Sequence, residues 1–163
     1  EDLNQISGHG LFRKLLTIWL NMSFRLILNY RLGNFLNSRR NIVTNIIILW
    51  LKKRQIKRYS CDISYQAKIG KRIKFPHPVG IVIGVGVVIE DDVMIWQNVT
   101  VGSKGSKEKH YPAISNGVWL FSNCQVLGDI VINENVTVGA FSLVLNSVPA
   151  NKKVVGIPAK IIN

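Results

Sequence analysis

The stretch from Ile81 to Val101, IVIGVGVVIEDDVMIWQNVTV, decides the fold. Ile81, Val87, Val93 and Val99 stand six residues apart, and Ile83, Ile89, Ile95 and Val101 follow each of them by two. A six-residue unit of this kind is a short strand plus a turn. It cannot bury its own apolar residues, so successive units must stack on one another. Working outward, the same spacing extends back through Phe75, Ile69 and Ile63. It resumes at Val118, Cys124, Ile130, Val136, Ser142, Val148 and Val154, with companions at Leu120, Val126, Ile132, Val138 and Val144. From Val99 to Val118 is 19 residues, one more than three periods, so the frame slips once, inside Ser103–Pro112.

Gly84, Gly86, Asn98, Gly102, Gly117, Gly128, Asn133 and Gly139 recur at the corners, where a positive φ is least costly for Gly and Asn. Three units close a coil of about 18 residues, and the span holds about five coils. An ordinary sandwich would need two-residue alternation with irregular loops, and neither is present. The expectation is a mainly β protein: a parallel β-helix of about five coils over residues 61–163. One loop, at about 103–112, protrudes from it, and loops on rigid scaffolds carry function.

Residues 1–60 read differently. Phe12, Leu15, Leu16, Trp19, Leu20, Phe24, Ile27 and Leu28 recur mostly at three- and four-residue steps, predicting a helix over Leu11–Leu36 with Gly33 and Asn37-Ser38 as breakers. A second helix is expected from about Ile42 to Ile56, ending in the basic stretch Lys52, Lys53, Arg54, Lys57 and Arg58. The 21 Lys and Arg against 9 Asp and Glu give a formal charge of +12. Of this, +9 falls in residues 1–60 and +3 in 61–163.

A charge so placed suits a polyanionic partner. Nucleic acid ranks last, because no recognisable binding motif accompanies it. An anionic membrane surface met through residues 1–58, with Trp19 and Trp50 as anchors, ranks above it. The simplest reading is a helix pair packed on the coil. The runs Leu15–Phe24 and Asn41–Leu51 fall short of the ~20 residues of a membrane span, and the opening EDLNQISGHG has no basic leader. Cys61 and Cys124 are isolated, as for buried thiols in a reducing compartment. The expected location is cytoplasmic, peripheral at the inner membrane face.

HPVGIVIGVGVVIEDDVMIWQNVTVG at 77–102, the loop ending HYPAI at 110–114 and the tail SVPANKKVVGIPAKI at 147–161 together resemble the hexapeptide-repeat acyltransferases. Within them the chain looks most like the serine acetyltransferase branch and its relatives in polysaccharide gene clusters. The resemblance implies a left-handed β-helix, an exception to the right-handed crossover rule. It also implies a homotrimer with sites between subunits, and acetyl-CoA as co-substrate without a metal.

Acetyl transfer to a hydroxyl needs a base and donors for the developing oxyanion. Of the three histidines His9, His77 and His110, the resemblance makes His77 the base and Asp62 its orienting carboxylate. Fifteen residues separate them, a little under one coil. The family keeps a second histidine directly before the loop proline; here Tyr111 holds that place and His110 is one residue back. His110 is therefore a catalytic candidate reaching a neighbouring subunit, with Tyr111 lining the acceptor pocket. By position the CoA groove would use Gly102, Ser103, Ser122 and Ala140, with Lys152, Lys153 and Lys160 for its phosphates.

Two departures bear on the acceptor. The helical front is short for a serine acetyltransferase, and the family's aspartate before the catalytic histidine, which helps hold the amino acid, is here Pro76. Losing that carboxylate favours a sugar hydroxyl, as in surface-glycan synthesis, with L-serine as the alternative. A γ-type carbonic anhydrase needs three gathered histidines, which the positions of His9, His77 and His110 do not suggest. A non-catalytic scaffold is the remaining class.

Overall fold

The structure, a computed structural model, describes residues 20–39, 41–105 and 110–162. The chain forms a left-handed parallel β-helix with a helix pair against its first coil.

Three faces carry the coil. Face one stacks β1 (Asp62–Ile63), β3 (Val82–Ile83), β6 (Thr100–Gly102), β9 (Gln125–Leu127) and β12 (Leu143–Val144). Face two stacks β2 (Lys68–Ile69), β4 (Val88–Ile89), β7 (Ala113–Ile114) and β10 (Val131–Ile132). Face three stacks β5 (Met94–Ile95), β8 (Trp119–Leu120), β11 (Thr137–Val138) and β13 (Lys153–Gly156). Val and Ile predominate because each strand buries one residue inward and its branched side chain packs against the rung above. Ile63, Ile83, Val101, Val126 and Val144 form one such buried row.

The register shows more frame shifts than the sequence spacing suggests. Asp62 pairs with Val82, a step of 20 residues, whereas Val82 pairs with Thr100, a step of 18. The two extra residues lie at Pro76–Gly80, so Ile63 and Phe75 belong to the companion row rather than the row of Ile81. The loop after β6 adds seven more, since Val101 pairs with Val126. The last coil is two residues short: Val148 bridges Ile132 and Val154 pairs with Val138. The tail does not simply leave the coil, because β14 (Ala159–Ile162) returns antiparallel to β13.

The first described helix, α1, spans Met22–Asn37, with Asn21 as N-cap accepting from the Phe24 N–H at 3.0 Å. The expected helix from Leu11 is thus interrupted at Asn21; its part through Trp19 lies outside the described residues, as does His9. Gly33 is no breaker. It is buried within α1, and a Cβ there would stand 2.4 Å from the Tyr65 ring. The second helix, α2, runs Ile42–Tyr59, three residues past its expected end, and closes on Ser60 at φ +52.

The helix pair is bonded to the first coil by side chains on backbone carbonyls. The Tyr30 hydroxyl donates to Ala67 O at 2.7 Å, Arg31 to Ile69 O at 2.6 Å and Asn34 to Tyr65 O at 2.8 Å. In α2, Leu51, Gln55 and Tyr59 are buried, whereas Ile42, Val43, Ile46, Leu49 and Trp50 are exposed. Among the described residues, no helix is long and apolar enough to cross a membrane.

Candidate active site

Face one is bounded by two edges, and the candidate residues gather along them. The edge from face three to face one carries His77 on the two-residue bulge, between exposed Pro76 and buried Pro78. The Val79 N–H donates to His77 O at 2.8 Å, Gly80 adopts φ +69, and the Asn98 N–H in the next layer donates to Val79 O at 2.9 Å. The backbone therefore holds an exposed imidazole on a braced corner. Ser122 and Ala140 lie on this edge in higher layers, with the Phe141 N–H donating to Ser122 O at 3.0 Å.

Asp62 lies on face one with its strand joined to the same corner, through its N–H to Ile81 O at 2.8 Å. Its carboxylate does not pair with His77 but with the Lys52 ammonium of α2, a contact open to solvent. The resemblance pairs Asp62 with His77, at a separation a little under one coil. The lysine that competes for it comes from another element.

The opposite edge, from face one to face two, holds Gly102, Ser103, His110 and Tyr111. Ser103 Oγ donates to Gly105 O at 3.1 Å, and residues 106–109 of the loop lie outside the described set. His110 Nδ1 stands 3.4 Å from Asp129 Oδ2. The Lys104 ammonium donates to Leu145 O at 3.4 Å, and these groups line a groove of about 660 Å³. Asp129 escaped the sequence reading, because its Gly128-Asp129 turn looks like any other corner.

Tyr111 turns out to be anchored. Its half-buried ring covers the corner Gly84-Val85-Gly86, where a Cβ on Gly86 would come 2.3 Å from a ring carbon. That contact explains both glycines.

The tail lysines divide. Lys153 faces outward on face three, and the Lys152 carbonyl accepts from Thr137 at the far end of that face. Lys160 pairs with Val155, whose side chain sits at Gly139 beside Ala140. Only Lys160 among the three thus approaches the edge of Ser122 and Ala140.

The two thiols belong to the core. Burial pushes Cys124 up to about 12 and also raises Cys61, so neither ionises near neutral pH. Among the described residues, no group of three or more His, Cys, Asp or Glu side chains gathers to hold a metal.

No protein-family model matches the chain. A serine acetyltransferase of Buchnera aphidicola subsp. Schizaphis graminum is 41% identical over 135 residues, covering 82% of this chain and 51% of the relative. Among solved structures, a truncated serine acetyltransferase apoenzyme is 32% identical with a TM-score of 0.83; the match covers 99% of this chain and 67% of that one. A serine acetyltransferase in complex with coenzyme A, from Brucella abortus strain S19, is 29% identical with a TM-score of 0.87, covering 99% and 64%. The chain spans about half the length of the curated relatives it matches. These relatives do not support the expected closeness to polysaccharide-cluster acetyltransferases.

Proposed function

The chain belongs to the serine acetyltransferase branch of the hexapeptide-repeat acyltransferases, and on that premise we propose that it transfers acetyl from acetyl-CoA to a hydroxyl. The observation that carries this is His77, exposed on its bulged, proline-flanked corner. His77 takes the hydroxyl proton as the oxygen attacks the thioester carbonyl. The new C–O bond forms, the C–S bond breaks, and the proton passes to the departing thiolate. Backbone N–H groups and Ser122 and Ala140 along this edge line the path of CoA, with Lys160 nearby for a phosphate. Asp62 orients His77 once its carboxylate is released from Lys52.

His77 and the pair His110–Asp129 stand on opposite edges of one face, separated by about 20 Å if six residues advance at 3.3 Å each. One chain therefore holds two halves of a site, which supports a homotrimer whose sites lie between subunits.

L-serine is the acceptor favoured by the names of the relatives. A second reading, a sugar hydroxyl, is favoured by Pro76, which cannot pair with an ammonium group. An acetyl-CoA thiol-release assay with L-serine against glycosides and nucleotide sugars tests both. Turnover with none of them overturns the proposal.

The helix pair supports peripheral contact with an anionic membrane, because Trp50, under the Arg54 guanidinium at 5.5 Å, stands exposed beside Lys53, Lys57 and Arg58. Sedimentation with phosphatidylserine vesicles, compared with neutral ones, should fall in Trp50→Ala; equal sedimentation with both vesicles refutes this contact.

A further inference from the structure

Above His77 the edge carries aromatic side chains that neither the proposed base nor the proposed CoA path requires. The Lys74–Met94 bridge places Trp96 one layer above Pro76, and the Trp96 N–H donates to Leu120 O, placing Phe121 one layer higher. Trp96 and Phe121 stack with centroids 4.3 Å apart at 12°. Trp119, 45% exposed, tilts against both at 6.2 and 6.3 Å. One coil further on, Phe141 stands 67% exposed at φ +57, a conformation unusual for a bulky residue; Asn98 and Asn123 hold the equivalent corners below it.

We infer that Pro76, Trp96, Phe121 and Trp119 form a stacking platform for a pyranose ring of a glycan acceptor. The inference rests on the sugar reading of the acceptor. Layers are about 4.8 Å apart, so the platform lies one to two layers, about 5–10 Å, from the corner of His77. That is the reach of a ring whose own or neighbouring hydroxyl is acetylated. It is also an apolar surface wider than a serine side chain can cover. An aromatic face offers a flat apolar contact at little cost in side-chain entropy.

The test combines saturation-transfer NMR and steady-state kinetics on the full chain. The probes are the methyl glycosides of glucose, galactose and N-acetylglucosamine, with L-serine in parallel. At least one glycoside should give transfer signals that weaken in Phe121→Leu and Trp119→Ala. Both variants should raise the KM of the sugar accepted about tenfold or more, with kcat, the KM for acetyl-CoA and the assembly state unchanged. Sugar turnover with an unchanged KM in both variants overturns the platform and leaves the sugar reading standing. Loss of assembly in both also overturns it and assigns the patch to subunit contact. Turnover of L-serine alone, without glycoside signals, overturns both.

Discussion

The two edges of face one hold their histidines by different means. His77 is set by backbone: a two-residue bulge, flanking prolines and an N–H bond from the layer above. His110 is set by a side chain, Asp129 at 3.4 Å, at the end of a loop, with both partners largely exposed. What is rigid on that edge is the next residue, Tyr111, pressed over Gly84 and Gly86. The contrast teaches that the first edge offers a fixed imidazole, and the second an adjustable group beside a fixed anchor.

The largest break in this comparison is His77→Ala. Turnover should fall on the order of 10³-fold, as for a lost general base, with coenzyme A binding retained by calorimetry. Near-normal turnover would remove the distinction between the edges. Asp62→Asn should lower kcat about tenfold, two orders of magnitude less than that. In contrast, Lys52→Ala should leave kcat equal or higher, since it frees the carboxylate; a fall in kcat there would show that the Lys52 pair serves the site.

On the opposite edge, Tyr111→Ala should cost about 2 kcal/mol through lost packing, lowering Tm by about 4–8 °C. An unchanged melting curve would mean the ring is not the anchor. Asp129→Asn should change kcat/KM by no more than about fivefold, because an exposed pair contributes at most about 1 kcal/mol. A hundredfold loss would place His110 on a par with His77.

The third edge, between faces two and three, serves as a reference. There Arg72 donates to Asp92 at 2.6 Å and holds that carboxylate below its usual range. A depressed carboxylate contributes stability that is present above the ordinary carboxylate pKa. That stability fades as pH falls through the lowered value. Arg72→Ala should therefore destabilise slightly at pH 7, with the difference closing toward strong acid. A gap in urea midpoint that widened on acidification would contradict this sign.

Much of the coil was legible because burial imposes a period. Ile83 and Val101 lie in one inward row, as their 18-residue spacing foretold. The 25-residue step on to Val126 exceeds the one-residue slip read in the loop. The bulge at His77 was hidden by coincidence. Phe75 and Ile81 are six residues apart, so the period ran on unbroken although the two occupy different rows. Gly33 read as a breaker because a sequence shows its lack of a side chain, while the Tyr65 ring that requires it comes from the first coil. The site residues were reached largely through resemblance, and their partners were not.

By itself the sequence determined the architecture. A six-residue unit with one or two inward side chains can satisfy burial in few ways other than by stacking. The tertiary structure alone decided which side chains meet: Asp62 with Lys52, His110 with Asp129, Trp96 with Phe121. The physical reason is that neighbours in a coil are set by the residue count of each turn. Steps of 20, 18, 25 and 16 residues appear in the registers, and a local pattern does not carry that count.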